Sequence, residues 1–237
     1  MSVIVPTKNE RENLPSFLES VPDDVEVILC DASDDGTPDL ARVLRPRNLE
    51  VVAGQGSIAH ARNQGASYAH GDLLIFTDAD VQFGAGYWRL PRGTPPWDGL
   101  FGPKLSQGQF AEYYRSVASG QANMWQLFGI AVASGSNMII RREVFHELGG
   151  FRPRLPCNED TELFLRAGRL GYDIHFDEQL VVWATDHRRL ARGVTRKSLH
   201  SLSRSLLLYA TCRRVRLPRI LRHDWSYWSS ARVQEAR

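Results

Sequence analysis

Cysteine is scarce in this sequence: the 237 residues include three, Cys30, Cys157 and Cys212. Their number is odd, and none of them is part of a CxxC or CxxH arrangement. A disulfide framework and a zinc site are therefore both disfavoured, and we expect the protein to work in a reducing compartment.

Long apolar runs are missing as well. The first residues, MSVIVPTKNE, contain no positively charged segment followed by a long apolar stretch, so we expect no signal peptide. No run reaches the roughly 18 to 20 apolar residues that a membrane-spanning helix needs. Hydrophobic residues still make up 43% of the chain, which suits the core of one large α/β domain.

Acidic residues are absent from one stretch near the C-terminus. Between His187 and His223 the sequence has eleven of its 29 lysines and arginines and none of its 27 aspartates and glutamates. The rest of the chain carries 18 basic and 27 acidic residues, a net charge of −9. An acidic body beside a basic tail indicates an anionic partner, such as a nucleic acid or a membrane surface.

Two common phosphate-binding loops are also missing. The sequence contains neither GxGxxG nor GxxxxGKS/T, so it supports neither a dinucleotide site nor a P-loop. The charge of a bound diphosphate would have to be neutralised by a metal ion instead.

What the first 80 residues do contain is a regular alternation of short apolar runs and amphipathic segments. Apolar runs bounded by turn residues predict strands, and apolar spacings of three and four predict helices. The resulting βαβαβαβ order predicts an α/β fold with a doubly wound, mostly parallel central sheet. The predicted strands are 2–5, 25–30, 50–53 and 73–77, and the predicted helices are 12–21, 38–44 and 57–69.

Each predicted strand is followed by a polar cluster. The clusters are residues 6–10, 31–34, 54–56 and 78–80. A single acid after a strand is usually a helix cap or a turn former. Because ligands bind at the carboxyl ends of parallel strands, several such clusters together predict a binding crevice.

The cluster after the fourth strand carries the most chemical information. Asp78 and Asp80 follow the apolar run 73–76, and Gln82 comes two residues later. In extended backbone these three side chains point the same way, so they can offer three oxygens to one hard divalent cation. An isolated pair of this kind is more often a polar loop.

Six blocks of sequence extend the pattern: VIVPTKNE, VILCDASDDGT, GQGSIAHARNQGA, GDLLIFTDADVQF, ASGSNMIIRREVFHELGGF and NEDTELFLRAGRLGY. In content and order they resemble family 2 glycosyltransferases of GT-A fold. The resemblance implies a GT-A domain at 1–190, with a nucleotide-binding half (1–82) and an acceptor half (83–190). A basic amphipathic tail, 191–237, follows it.

The resemblance implies a nucleotide role for the polar strand ends. Glu10 would accept hydrogen bonds from the ribose hydroxyls, and Asp31 would accept one from the base N–H. Arg62 would contact the diphosphate. Other interpretations are a helix N-terminal charge for Glu10 and a solvated helix residue for Arg62. The implied nucleotide-binding residues are Pro6, Thr7, Asn9, Glu10, Asp31, Asp34, Gly56, Arg62, Asp78, Ala79 and Asp80.

The resemblance also implies a metal site that holds Mn²⁺ or Mg²⁺. Asp78 and Asp80 match the family's DxD, and Gln82 extends the match to the DADxQ of dolichyl-phosphate mannose synthases. His187 matches a position at which some GT-A enzymes supply a further ligand, although a surface histidine is the alternative. The metal would act as a Lewis acid on the departing nucleoside diphosphate.

Glu159 and Asp160 match the family's acceptor-facing acidic pair. Asp160 is the implied general base of an inverting reaction, and a helix N-terminal charge is the alternative. Gly135 and Ser136 would line the sugar pocket, where glycine permits close approach of a ligand.

Arg188 and Arg189 resemble the basic element that grips the leaving diphosphate. The QxxRW sequence itself is absent, so processive polymer synthesis is not expected.

In the tail, an apolar stripe with arginines around it is typical of an interfacial helix, which predicts attachment to an anionic membrane surface. The alternative is a helix packed on the domain. Related enzymes continue into transmembrane helices after such a segment, so a longer native chain is a further expectation. The stripe consists of Leu199, Leu202, Leu206 and Tyr209.

Taken together, these features predict a metal-dependent inverting hexosyltransferase at the cytoplasmic face of a membrane. We expect a nucleotide-sugar donor, GDP-mannose on the DADxQ resemblance, and a lipid-linked or saccharide acceptor in glycan biosynthesis. A UDP-sugar-dependent glucosyl- or GlcNAc-type transferase with a soluble acceptor is the alternative. A sugar-nucleotide pyrophosphorylase would need a glycine-rich loop that PTKNERENL lacks. A nucleic-acid-binding module would explain the tail but not the acids, so no nucleic-acid partner is expected.

Overall fold

The computed structural model describes residues 1–90, 95–155, 157–185, 203, 207 and 208. The predicted alternation of strands and helices is confirmed. The helices are α1 (Leu14–Glu19), α2 (Thr37–Leu44), α3 (Ile58–Tyr68), α4 (Ala111–Phe128), α5 (Arg142–Glu147) and α6 (Glu159–Arg169). The strands are β1 (Ser2–Thr7), β2 (Glu26–Asp31), β3 (Leu49–Ala53), β4 (Leu73–Phe76), β5 (Val81–Phe83), β6 (Gly99–Phe101), β7 (Lys104–Leu105), β8 (Met138–Arg141), β9 (Ile174–Phe176) and β10 (Val182–Ala184).

Seven strands form the central sheet, in the order β3-β2-β1-β4-β8-β6-β9. β1 pairs in parallel with both β2 and β4, and β8 runs antiparallel to its neighbours β4 and β6. The predicted mostly parallel sheet is therefore confirmed. Because β2 and β3 lie on one side of β1 and β4 on the other, the strand order reverses at β1, and a binding crevice is expected there at the carboxyl ends.

Helices cover both faces of this sheet. Alternate residues of a strand point to opposite faces, so Ile4 packs in one core cluster with α3, α5 and α6. Val3 and Val5 pack in the other cluster with α1 and α2. Burial on both faces explains why these strands read as continuous apolar runs.

The chain leaves the central sheet directly after β4. Residues 79–80 form a turn, and β5 then joins a second sheet of order β5-β10-β7. The expectation of one extended segment from Asp78 to Gln82 is therefore wrong. A physical reason is that the two aspartates cannot continue a strand buried on both faces, so the backbone turns out of the sheet where they occur.

α4 stops at Gly129, which has a φ of 62°. Of its apolar side chains only Tyr114 is buried, whereas Val117 is 42% exposed. Among the described residues no helix is both long and apolar enough to cross a bilayer.

The tail lies almost entirely outside the described residues, including the predicted stripe Leu199, Leu202, Leu206 and Tyr209. Leu208 is described, and it is buried against Leu155 and Leu165.

Candidate active site

The carboxylate of Asp31 is fixed at the end of β2. Its Oδ1 accepts hydrogen bonds from Thr7 Oγ1 and from Ser33 Oγ, both at 2.7 Å. The Ser33 N–H donates to Oδ2 at 3.1 Å. The ends of β1 and β2 are thereby joined, with Pro6 and Thr7 as the last two residues of β1.

The loop after β1 interlocks with the loop after β2. Asn9 has a left-handed φ of 57°, its N–H donates to Ser33 Oγ at 2.8 Å, and its Oδ1 accepts from the Asp34 N–H at 3.1 Å. The carboxylate of Glu10 accepts from Asn13 Nδ2 at 2.7 Å. The structure therefore brings Asn9, Glu10, Asp31 and Asp34 together at one edge of the sheet, as predicted.

The loop after β3 approaches the same edge. The Gly54 N–H donates to the Asp31 carbonyl oxygen at 2.7 Å. A Cβ on Gly54 would lie 2.8 Å from the Cys30 carbonyl oxygen, and Gly56 has a φ of 73°. Both positions therefore favour glycine, and Gly56 lies two residues before α3 begins at Ile58.

Arg62 on α3 is a buried link between three parts of the site. Its Nη1 lies 2.7 Å from Glu159 Oε1, and its Nη2 lies 3.0 Å from Asp78 Oδ1. Nη2 also donates to the Gly135 carbonyl oxygen at 2.9 Å. The side chain is 3% exposed.

Two sequence-based interpretations are corrected by this geometry. A solvated helix position for Arg62 is wrong, and its guanidinium is enclosed by protein acceptors rather than open to a diphosphate. Gly135 does permit a close approach, but by Arg62, because a Cβ there would lie 2.5 Å from the guanidinium nitrogens. Sequence reasoning missed this link because the partners come from distant segments.

The acidic pair begins α6. Glu159 is buried against Arg62, whereas Asp160 is partly exposed and accepts from the Gly135 N–H at 2.6 Å through Oδ2. Burial raises the pKa of Glu159 to about 7, and the nearby charge of Asp160 adds to this while Arg62 opposes it. Burial also raises the pKa of Asp160, against the opposing effects of Arg62 and the N–H groups of Thr161 and Gly135.

Asp78 and Asp80 are both bound by protein donors. Asp78 Oδ2 accepts from Ser136 Oγ at 2.5 Å, in addition to the contact of Oδ1 with Arg62. Asp80 Oδ1 lies 3.1 Å from Nζ of Lys104, which also donates to Ser136 Oγ at 3.3 Å. Burial acts to lower the pKa of Lys104, but attraction to Asp80 and Asp78 outweighs it, and the pKa is raised.

Lys104 is a site residue that the sequence reasoning missed. It belongs to the two-residue strand β7, within a segment interpreted as variable acceptor region. The only available signal was a single charge in the otherwise apolar run LFGPKL.

The carboxylates of Asp78 and Asp80 fit a divalent cation that takes some of its ligands from the protein and others from a substrate. In the described part of the chain no three His, Cys, Asp or Glu side chains are grouped to hold a metal alone. Mg²⁺-type sites often combine one or two carboxylates with substrate phosphates and water, which matches Asp78 and Asp80. Gln82 lies on β5, paired with Trp183 of β10. His187, Arg188 and Arg189 lie outside the described residues.

Comparisons with known sequences identify a matching family and several relatives. Residues 2–90 match Glycosyl transferase family 2. Glycosyltransferase AglE of Haloferax volcanii is 31% identical over 202 residues, which cover 76% of this chain and 65% of AglE. The probable glycosyltransferase YdaM of Bacillus subtilis is 26% identical over 216 residues, which cover 77% of this chain and 50% of YdaM. The chain thus matches half to about two thirds of the length of these relatives.

Solved structures show the same fold. The mannosyltransferase PcManGT from Pyrobaculum calidifontis, in complex with GDP-Man and Mn²⁺, aligns with a TM-score of 0.66 and 22% identity over 92% of this chain and 65% of its own. S. aureus TarS 1–349 in complex with UDP-GlcNAc aligns with a TM-score of 0.60 and 21% identity over 78% of this chain and 58% of its own.

Proposed function

The chain belongs to the family 2 glycosyltransferases and has the GT-A fold, and from this premise we propose that it is an inverting hexosyltransferase with a nucleotide-sugar donor. The observation that carries the proposal is the Arg62 bridge. One buried guanidinium holds Asp78, at the predicted diphosphate end, and Glu159, next to the predicted base Asp160. In this proposal the residue that binds the leaving diphosphate and the residue that activates the acceptor would lie on either side of the Arg62 guanidinium.

The strand ends supply the nucleoside site in this proposal. Asp31 is held by three donors, which leaves its carboxylate oriented to accept a further bond from a base N–H. Glu10 and Asp34 lie on the two loops that Asn9 joins by hydrogen bonds. A ribose between these loops would therefore contact side chains whose positions are already fixed.

Asp160 is the proposed general base. It is the more accessible acid of the pair, and the Gly135 N–H fixes one carboxylate oxygen. It would take the proton of the acceptor hydroxyl at a carboxylate oxygen while that hydroxyl attacks the anomeric carbon opposite the leaving group. Glu159 would act through Arg62 as a positioning residue.

Asp78 and Asp80 would hold the metal, with Gln82 and His187 as the further proposed ligands. When bound, Mn²⁺ or Mg²⁺ supplies neutralisation of the diphosphate charge and Lewis-acid stabilisation of the departing nucleoside diphosphate. The support is the oxygen chemistry of the pair and the presence of Mn²⁺ in the PcManGT complex.

For the donor we propose GDP-mannose. DADVQF and the GDP-Man in the PcManGT complex support it, whereas the UDP-GlcNAc in the TarS complex supports a UDP-sugar as second candidate. The acceptor in the proposal is lipid-linked or a saccharide. Ser136 would line the sugar pocket, and Arg188 and Arg189 would grip the leaving diphosphate.

A location at the cytoplasmic face of a membrane completes the proposal. Its support is the eleven basic residues of the 187–223 stretch. Each basic residue near an anionic surface contributes about 1 kcal/mol, so binding should require anionic lipid and weaken with salt. Cosedimentation with anionic and with neutral vesicles tests this, and equal binding to both would contradict it.

Calorimetry with GDP, UDP and their sugars, with Mn²⁺ and with chelator, tests the donor site. We expect one base to bind, more tightly with Mn²⁺. An Asp31→Asn variant should bind the nucleotide more weakly, and its nucleotide binding should still depend on Mn²⁺ as in the wild type. Salt-dependent binding of RNA or DNA, with no binding of any nucleotide sugar, would contradict the enzyme proposal and favour a nucleic-acid module.

A further inference from the structure

Lys104 lies against the carboxylates to which the proposed function assigns a divalent cation. Its Nζ is 3.1 Å from Asp80 Oδ1 and 3.3 Å from Ser136 Oγ, and Ser136 in turn donates to Asp78 Oδ2. One protein ammonium thus already contacts Asp80 directly and is linked to Asp78 through Ser136. The backbone holds it there, because β7, which begins at Lys104, and β5, which follows Asp80, both pair with β10.

The DxD carboxylates are largely engaged before any ligand arrives. Asp78 Oδ1 contacts Arg62, Asp78 Oδ2 accepts from Ser136, and Asp80 Oδ1 contacts Lys104. The Lys104 side chain is 15% exposed, so water screens its charge little. A divalent cation at Asp80 would therefore be repelled by the charge of Lys104. It would also compete with protein donors for several of the carboxylate oxygens.

We propose that Lys104 is an internal cation that keeps metal affinity of the free protein low, so that the divalent cation binds tightly only together with a diphosphate. A diphosphate brings negative charge to the same place and offsets the repulsion between Lys104 and the metal. Among the described residues Lys104 donates two hydrogen bonds, and an ammonium group has three N–H donors, so the third could donate to a phosphate oxygen. This inference rests on the proposed function, which identifies the diphosphate as part of a nucleotide. The effect of Lys104 on metal binding does not depend on that identification.

The test is a titration with Mn²⁺, followed by electron paramagnetic resonance, of the full chain without nucleotide and then with saturating GDP or UDP. In the wild-type protein we expect nucleotide to tighten Mn²⁺ binding strongly. Lys104→Met should bind Mn²⁺ about tenfold or more tightly without nucleotide, and the gain from nucleotide should shrink, because the two binding events are coupled through Lys104.

The matched control is Arg142→Met. Arg142 also forms an ion pair, with Asp72 at 3.4 Å, but at the opposite end of β4. It should leave Mn²⁺ binding unchanged, and Lys104→Arg should keep the wild-type behaviour. Equal Mn²⁺ affinity in Lys104→Met and wild type, or equal tightening in Arg142→Met, overturns the inference.

The wild-type measurement decides the matter even if Lys104→Met does not fold, since Mn²⁺ binding that ignores nucleotide would also overturn it. The outcome is separable from that of the proposed function. Sugar transfer with unchanged Mn²⁺ affinity in Lys104→Met refutes the role of Lys104 alone. Tighter Mn²⁺ binding in that variant, with no transfer from any nucleotide sugar, refutes the proposed activity alone.

Discussion

Arg62 donates to the carbonyl oxygen of Gly135 at 2.9 Å, and a Cβ at position 135 would lie 2.5 Å from its guanidinium. Glycine at this position is therefore a condition for the buried ion pairs of Arg62. The N–H of the same glycine donates to Asp160, so Gly135 helps to fix the positions of both Arg62 and the proposed base.

Gly135→Ala should displace Arg62 and lower the free energy of unfolding by about 1–3 kcal/mol, the range for a strained or broken buried network. Urea denaturation measures the change. Gly120→Ala is the control, because Gly120 lies in α4 with nothing near its Cβ position. That variant should be neutral or more stable by up to about 1 kcal/mol, since alanine favours helix. An equal change in the free energy of unfolding for Gly135→Ala and Gly120→Ala would contradict the close contact between position 135 and Arg62.

Arg62→Met should cost about 3–5 kcal/mol, because it leaves the buried Glu159 and the partly exposed Asp78 without their cation. Adding Glu159→Gln should restore part of the loss, since one of the uncompensated charges is then removed. A double-mutant cycle by chemical denaturation measures the coupling. If the two substitutions changed the free energy of unfolding additively, Arg62 and Glu159 would not stabilise the protein through their ion pair.

Glu159 should make stability depend on pH between about 4.5 and about 7, because its pKa is 4.5 for an ordinary glutamate and about 7 in the folded protein. The folded state holds the proton more tightly, so this contribution is fully present below about pH 4.5 and is lost as the pH rises through about 7. Unfolding at several pH values should show a smaller decline for Glu159→Gln than for wild type. Glu112→Gln, at an exposed site on α4, controls for removal of a carboxylate. An unchanged pH profile in Glu159→Gln would contradict the assignment.

Asp160→Asn should lower kcat by roughly 10²–10⁴-fold while nucleotide binding by calorimetry stays intact, as expected for loss of a general base. Asp173→Asn, an exposed acid beyond the end of α6, provides the control. Intact turnover in Asp160→Asn would show that the acceptor needs no base. A phosphate that is already ionised would then be the better acceptor candidate.

The strand and helix order was predictable because both faces of the central sheet are covered, so residues 73–76 and 3–5 are plain apolar runs. The polar strand ends were predictable for the same reason: charge cannot enter those runs. The turn at 79–80 was not, since alternation assumes that the strand continues. The partners of Arg62 and Lys104 depend on contacts across 16 to 97 positions, which periodicity does not report.

The small sheet β5-β10-β7 has a consequence for how such an enzyme can be altered. It fixes Asp80 and Lys104 through backbone pairing, whereas α4 follows β7 and presents exposed side chains such as Val117. Under the proposed function, exchanging the outer surface of α4 should therefore change which acceptor is glycosylated and leave the contact between Asp80 and Lys104 intact. If the proposed function holds, acceptor preference and cation binding could then be altered independently within one chain.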